Sequence, residues 1–280
     1  MMNEKLKYIC GNAFKSICKY SSGSYKNATR HEFDFRVRSD LENNLVFVNT
    51  HYLEHFFCYI KLDFDYTLIS HNSDLSIDDN LLIDNKSVLE WIDNPQIKKW
   101  YVQNVNCDHP KVHSIPIGIA NPKWKHGNPE DMDKAISSEY WKNKNNLVYC
   151  NFNITTNTTE RTKCLQHTGM EMPNGNGGYY NLDFLPYLKE LSESYFVLSP
   201  NGNGVDCHKH WESLHMRTIP IVTKSRNMEF YKDLPFIIID DWEDYKNLDL
   251  SKELYEEIWK DFDPSTLYFE NYIKNLGIQC

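Results

Sequence analysis

Long apolar runs are missing from this 280-residue chain. Nothing in it approaches the ~18–20 consecutive apolar residues that a membrane span requires. The first residues, MMNEKLKYICGNAF, hold no signal-peptide apolar core. The expectation is a soluble, cytoplasmic protein with no membrane span. A basic excess is missing too. With 39 acidic against 30 basic residues the formal net charge is −9. No basic stripe appears that would track a nucleic-acid backbone, so nucleic acid is not an expected partner. The eight cysteines are scattered, without a Cys-x-x-Cys pair or zinc-type spacing. Reduced thiols follow. Neither the dinucleotide fingerprint Gly-x-Gly-x-x-Gly nor the P-loop is present, which counts against a P-loop hydrolase or phosphotransferase.

What the chain has is a 41% hydrophobic, 14% aromatic composition, with 18 Tyr and 7 Trp. That composition belongs to a folded globular protein. Strand-like runs at 45–49, 66–70, 99–105, 112–119, 146–152, 195–199, 219–223 and 235–240 alternate with helical patterns. The helical patterns fall at 51–61, 86–93, 128–140, 182–194, 207–216, 226–233, 250–261 and 264–275. Such alternation predicts an α/β protein with parallel sheets and helices on both faces. The polar stretch 124–144 reads as a linker between two Rossmann-like lobes facing a central cleft. The lobes are expected at 1–138 and 139–262, with a last helix in 263–280 packing back on the first. Residues 168–179, rich in Gly and Asn, read as a loop.

The most informative window is 195–222, YFVLSPNGNGVDCHKHWESLHMRTIPIV. A buried strand, a Gly/Asn turn, a helix and a second strand make a βαβ unit. Ligands of such units sit beyond the carboxyl end of the first strand, against the helix N-terminus, where unpaired amides suit a phosphate. Asp206 stands where a helix N-cap would stand. His208 and Glu212 are four apart and share a face, while Trp211 and Leu214 point to the core. An imidazole there suits a diphosphate, and a carboxylate one turn on suits ribose hydroxyls. A surface pair with no ligand is the competing reading of the same spacing.

The segment SPNGNGVDCHKHWESL resembles the signature of the exostosin-type glycosyltransferases, S-P-R-G-N-G-x-D-T-H-R-x-W-E-A-L followed by a small residue, x, I-P-V. Ser199, Pro200, Gly202, Asn203, Gly204, Asp206, His208, Trp211, Glu212, Leu214, Ile219 and Pro220 match. Asn201 replaces an Arg, Cys207 a Thr and Lys209 an Arg. Lys209 keeps the charge without the forked geometry. The short chain, rich in Asn, Lys and Tyr, is similar to the exostosin-like enzymes of the chloroviruses, large algal viruses that decorate their capsid glycans. The resemblance implies the GT-B architecture, with an N-terminal acceptor lobe and a C-terminal nucleotide-sugar lobe. It implies inverting transfer of a sugar from a UDP-sugar donor to a saccharide acceptor, with no further cofactor. Xylose is the first choice of sugar; galactose, glucuronic acid, N-acetylglucosamine and arabinose serve relatives. The diphosphate would rest on Ser199, Asn201, Gly202, Asn203, Gly204 and Asp206, with His208 and Arg161. Glu212 would hold the ribose. For Arg161 a plain surface pair with Glu160 or Glu171 is the alternative.

An inverting transfer needs a base on the acceptor side. The strand 66–70 ends in His71-Asn72-Ser73-Asp74, so Asp74 is the first choice and His71 the second, with His51 beyond the neighbouring strand as a third. Asp63-Phe64-Asp65 fits the metal-binding Asp-x-Asp string but precedes its strand, the wrong end for a nucleotide site. Metal independence is therefore expected, with helix amides and side-chain cations meeting the leaving-group charge. The rival reading is a catalytically inactive carbohydrate-binding or scaffold partner of the same fold.

Overall fold

The computed structural model of the chain describes residues 6–22, 34–172 and 182–278. Residues 173–179 of the expected 168–179 loop therefore lie outside the described residues. The first sheet contains β1 (Tyr20–Ser22), β2 (Phe35–Val37), β3 (Leu45–Asn49), β4 (Tyr66–His71), β5 (Ile97–Val102) and β6 (Val112–Ser114). Their order is β6-β5-β4-β3-β1-β2. Every neighbouring pair is parallel except β1 with β2. The second sheet holds β7 (Asn146–Tyr149), β8 (Ser194–Leu198), β9 (Ile219–Thr223) and β10 (Ile237–Ile239), in that order and all parallel. The chain is a mixed α/β protein built on parallel sheets.

Side-chain alternation sorts each strand between two layers. In β3, Val46 and Val48 join Leu68, Trp100 and Val102 in one core. Leu45 and Phe47 turn the other way, to Ile69 and Tyr101. The helices in chain order are α1 (Gly11–Ser16), α2 (Leu53–Tyr59), α3 (Val88–Ile92), α4 (Pro129–Ser137), α5 (Thr158–Thr168), α6 (Phe184–Ser192), α7 (His208–His215), α8 (Arg226–Glu229), α9 (Lys252–Trp259) and α10 (Phe269–Asn275). The second layer continues through α1, α4, α6 and α10. Phe14 meets the edge of Phe269 at 5.2 Å between ring centroids. Phe269 N–H donates to Lys7 O at 3.0 Å, and Tyr101 Oη to Leu276 O at 3.4 Å. The C-terminal helix thus lies against α1 and β5.

Residues 124–144 form packed structure rather than an open linker. Asn128 caps α4 by accepting from Glu130 N–H, Pro129 opens the helix, and Met132 and Ala135 are buried. Their apolar spacing within a polar stretch gives the helix a core face. No helix among the described residues is long and apolar enough to cross a membrane.

The two sheets are bolted together by buried polar contacts. Asp206, 3% exposed, follows β8. Its Oδ2 accepts from Ile117 N–H at 2.7 Å, just past β6. Its Oδ1 accepts from Trp211 Nε1 at 2.9 Å and faces His210 Nδ1 at 3.1 Å. Its own N–H donates to Asn104 Oδ1 at 3.0 Å. A second bolt is Asn227, whose Oδ1 accepts from Val105 N–H at 2.9 Å and Ser114 Oγ at 2.7 Å. Removing a buried carboxylate leaves its donors unpaired in a dry place. Asp206→Ala should therefore cost about 3–5 kcal/mol, read as a lowered urea midpoint. A midpoint equal to the parent's would show that these contacts do not hold the sheets together.

Candidate functional site

Two cavities lie between the sheets, and both are walled by segments just past the carboxyl ends of parallel strands. The first, about 350 Å³, is lined by Asn49 at the end of β3 and His51 beyond it, Asn72 and Asp74 beyond β4, Asn121 and Trp124 beyond β6, among others. The second, about 360 Å³, is lined by Asn151 and Phe152 beyond β7, with Arg161, Tyr187, Lys209 and Glu212. His208 lines both.

Helix α7 (His208–His215) supplies His208, Lys209 and Glu212. Its N-cap is Cys207, not Asp206. Asp206 turns inward instead, because the Ile117 amide and the Trp211 indole offer it stronger partners than a helix amide partly open to water. His208 Nδ1 lies 2.7 Å from Gly118 O. A carbonyl only accepts, so Nδ1 carries the proton and Nε2 remains an acceptor in the neutral ring. Gly118 has φ +65°, and a Cβ there would lie 2.0 Å from Ile9 O, so only glycine can present this carbonyl.

Lys209 donates to Asn151 O and lies 5.7–6.0 Å from the ring centroids of Tyr149, Phe152 and Tyr187. Desolvation by these surroundings, then the charge of Arg161, pulls its ammonium down to about 8. Arg161 sits in α5 (Thr158–Thr168). It donates from Nε to Asn201 O at 3.1 Å and from Nη1 to Asn153 O at 2.5 Å. Cys207 is a further side-chain partner of Arg161; Glu160 instead accepts from Trp242 Nε1 at 2.7 Å and Thr223 Oγ1 at 3.0 Å. Glu212 is buried and accepts from Tyr187 Oη at 2.8 Å. Burial pushes its carboxyl above the usual range, against the pull of His208 and the Tyr187 hydroxyl.

The glycine loop is placed differently from the cradle its sequence suggests. Ser199, Asn201, Gly202, Asn203, Gly204 and Asp206 line neither cavity. Gly202 N–H is spent on Gly204 O and Cys207 Sγ, at 3.1 and 3.2 Å. Gly202 O takes Asn157 Nδ2 at 2.9 Å. Gly204 packs so closely on the first sheet's Asn104 that a Cβ would stand 2.7 Å from Asn104 Nδ2. Ser199 is buried, its N–H bonded to Ile221 O at 3.0 Å. The loop is a weld between the sheets, because the space in front of it is filled by residues ~100 positions earlier in the chain.

On the other wall, Asp74 is exposed at the rim of the first cavity and accepts from Asn203 Nδ2 at 3.3 Å. His71 cannot serve as a base. Its Nε2 faces Pro116 O at 3.1 Å and its Nδ1 accepts from Asn72 N–H at 2.7 Å, so both nitrogens are engaged. Burial holds the ring neutral, its pKa lowered to about 4. His51 is exposed and its Nε2 lies 3.2 Å from Ser73 Oγ. Asp65 pairs with Lys98 at 2.9 Å before β4, away from both cavities. No group of three His, Cys, Asp or Glu side chains among the described residues is placed to hold a metal ion.

Sequence reasoning did not single out Asn151, Phe152, Tyr187 and His126 on the second cavity, or Asn72, Asn121 and Trp124 on the first. His126 stacks on Tyr187 at 6.1 Å and 6°. Asn121 Nδ2 donates to Asn72 Oδ1 at 2.9 Å. Only Trp124, 60% exposed, carries a signal of its own, a large aromatic in a polar stretch. Neither the scan against protein-family models nor the search of curated proteins finds a match to the chain.

The state of His71 predicts a pH dependence. The unfolded chain protonates this imidazole near 6.5, whereas the folded chain holds it neutral down to about 4. Between those values the unfolded state binds more protons, so stability is full above pH 6.5 and falls as the pH drops through the window. His215, buried and lowered to about 3, acts in the same direction. His71→Gln should flatten this acid slope in urea melts at stepped pH; an unchanged slope would contradict the buried neutral ring.

Proposed function

We propose that the chain is an exostosin-like glycosyltransferase of the GT-B type, transferring a sugar from a UDP-sugar to a saccharide with inversion. The observation that carries this reading is the meeting of two unlike cavities at one residue, His208. The second cavity offers Lys209, Arg161 and His126 beside a buried carboxylate, the chemistry of a nucleoside diphosphate site. The first offers the amide groups of Asn49, Asn72 and Asn121 with the open face of Trp124, the chemistry of a sugar site. In this reading residues 1–138 form the acceptor lobe and 139–262 the nucleotide-sugar lobe, with 263–280 returning to the first. The resemblance of the Ser199–Leu214 window to the exostosin signature points the same way.

The chemistry follows from placement. Lys209 and Arg161 would lie along the diphosphate and meet the charge that grows as it leaves. The amide ends of α7 add to that field. Glu212 keeps Oε2 on the Tyr187 hydroxyl and offers Oε1 to the ribose. The amides and Trp124 would hold the acceptor ring, with Asp74 at its rim. Binding across both cavities turns the transfer into a reaction between pre-positioned groups. Xylose remains the first choice of sugar.

Three outcomes are expected. UDP at about 100 times its dissociation constant should stabilise the protein by about 2.7 kcal/mol in a thermal-shift assay. Glu212→Ala should weaken UDP binding by about 1.5–3 kcal/mol in calorimetry; equal affinity would remove the ribose assignment. Release of UDP from a UDP-sugar should also survive excess EDTA. Loss in chelator with recovery on Mn²⁺ would place a cation on the diphosphate. A carbohydrate-binding module without catalysis would bind but release no UDP.

A further inference from the structure

We infer that His208 is the group that takes the acceptor's proton, an assignment that rests on the glycosyltransferase reading above. The reacting atoms must meet where the two cavities meet, and His208 lines both. The carboxylate and imidazoles on the first wall are placed less well. Asp74 is exposed and accepts from Asn203, both nitrogens of His71 are occupied, and His51 is exposed beside Ser73. His208 is held as a base should be held. Its Nδ1–H is spent on Gly118 O at 2.7 Å, which fixes the tautomer and aims the Nε2 lone pair away from that carbonyl.

In the step, the acceptor hydroxyl oxygen bonds to the anomeric carbon while that carbon's bond to the diphosphate oxygen breaks. The electron pair of the broken bond leaves on the diphosphate, facing Lys209 and Arg161. The hydroxyl proton passes to His208 Nε2. The imidazolium so formed keeps its Nδ1–H on Gly118 O and stands beside the departing anion, then returns its proton to water. Asp74 is left to orient the acceptor at the rim.

The test follows UDP release from UDP-xylose, UDP-galactose, UDP-glucuronate and UDP-N-acetylglucosamine, with methyl glycosides or water as acceptor. His208→Asn keeps a donor for Gly118 O but has no basic Nε2. Its turnover number should fall by about 10²–10⁴-fold, with UDP affinity by calorimetry unchanged. His208→Ala should regain turnover when imidazole is added, which a purely structural role would not allow. Near-parental turnover in His208→Asn overturns the assignment. So does a loss of UDP affinity that accounts for the whole fall, which would make His208 a diphosphate contact. Absence of imidazole rescue in an alanine variant that melts like the parent overturns it as well. A parent that releases UDP from none of the donors defeats the glycosyltransferase reading itself, whereas an active parent with an active His208→Asn defeats only the base.

Discussion

A carboxylate placed where water cannot reach must find donors, and Asp206 finds them on both sides of the molecule. It holds the Ile117 amide from the segment after β6 and the Trp211 indole from α7, with His210 facing the same oxygen as the indole. The consequence reaches the cavities through one peptide unit. Ile117 precedes Gly118, and Gly118 O orients His208. The turn into α7 therefore grips two successive residues of the segment after β6, Ile117 through the Asp206 carboxylate and Gly118 through the His208 imidazole. If the first grip fails, the second loses its reference. A buried charge of this kind adds little net stability, but its removal costs much, because its partners cannot then be satisfied.

The same economy of partners shapes the charge of the second cavity. The chain is acidic as a whole, with a formal net charge of −9, yet Lys209 and Arg161 gather around one space. Like charges crowded together repel, and the fold answers with backbone carbonyls and ring faces rather than acids. Asn151 O takes Lys209, and Asn153 O and Asn201 O take Arg161. Carbonyls satisfy hydrogen bonds without cancelling charge, so the cavity keeps its positive potential. Glu212 is the exception, and burial and the Tyr187 hydroxyl bind it in place.

Strands that are apolar on both faces up to their last residue were legible, since LVFVN at 45–49 and IPIVT at 219–223 suit a sheet covered on both faces. The two strands at the β2 end of the first sheet were not. β1 reads YSS and β2 reads FRV, three residues each, too short and too polar to show a period. Helix α5 was missed because it buries only Cys164 and lacks an apolar stripe. Its ends did carry signals, since Asn157 caps the first turn and Gly169 closes the last with φ +65°. At the site, spacing alone brought out His208 and Glu212, four residues apart on one helix face. Arg161 could be suspected only from its type and its place after a strand.

By itself the sequence determined the α/β alternation with its parallel strands, and the face of α7 that carries His208 and Glu212. These follow from local periods and propensities, which act within a few residues. It also determined that the 199–206 turn must be rich in glycine. Only the tertiary structure decided what that glycine serves. Asn104 and Asp74 arrive from the other sheet to fill the space before the loop, so the loop became a joint and not a cradle. Tertiary structure likewise decided that Asp206 faces inward, that His71 has no free nitrogen, and that among the described residues only His208 borders both cavities. The reason is the same in each case. The deciding partners lie 45 to 129 residues away along the chain, and no local pattern records which distant group will come to share a donor, an acceptor or a wall.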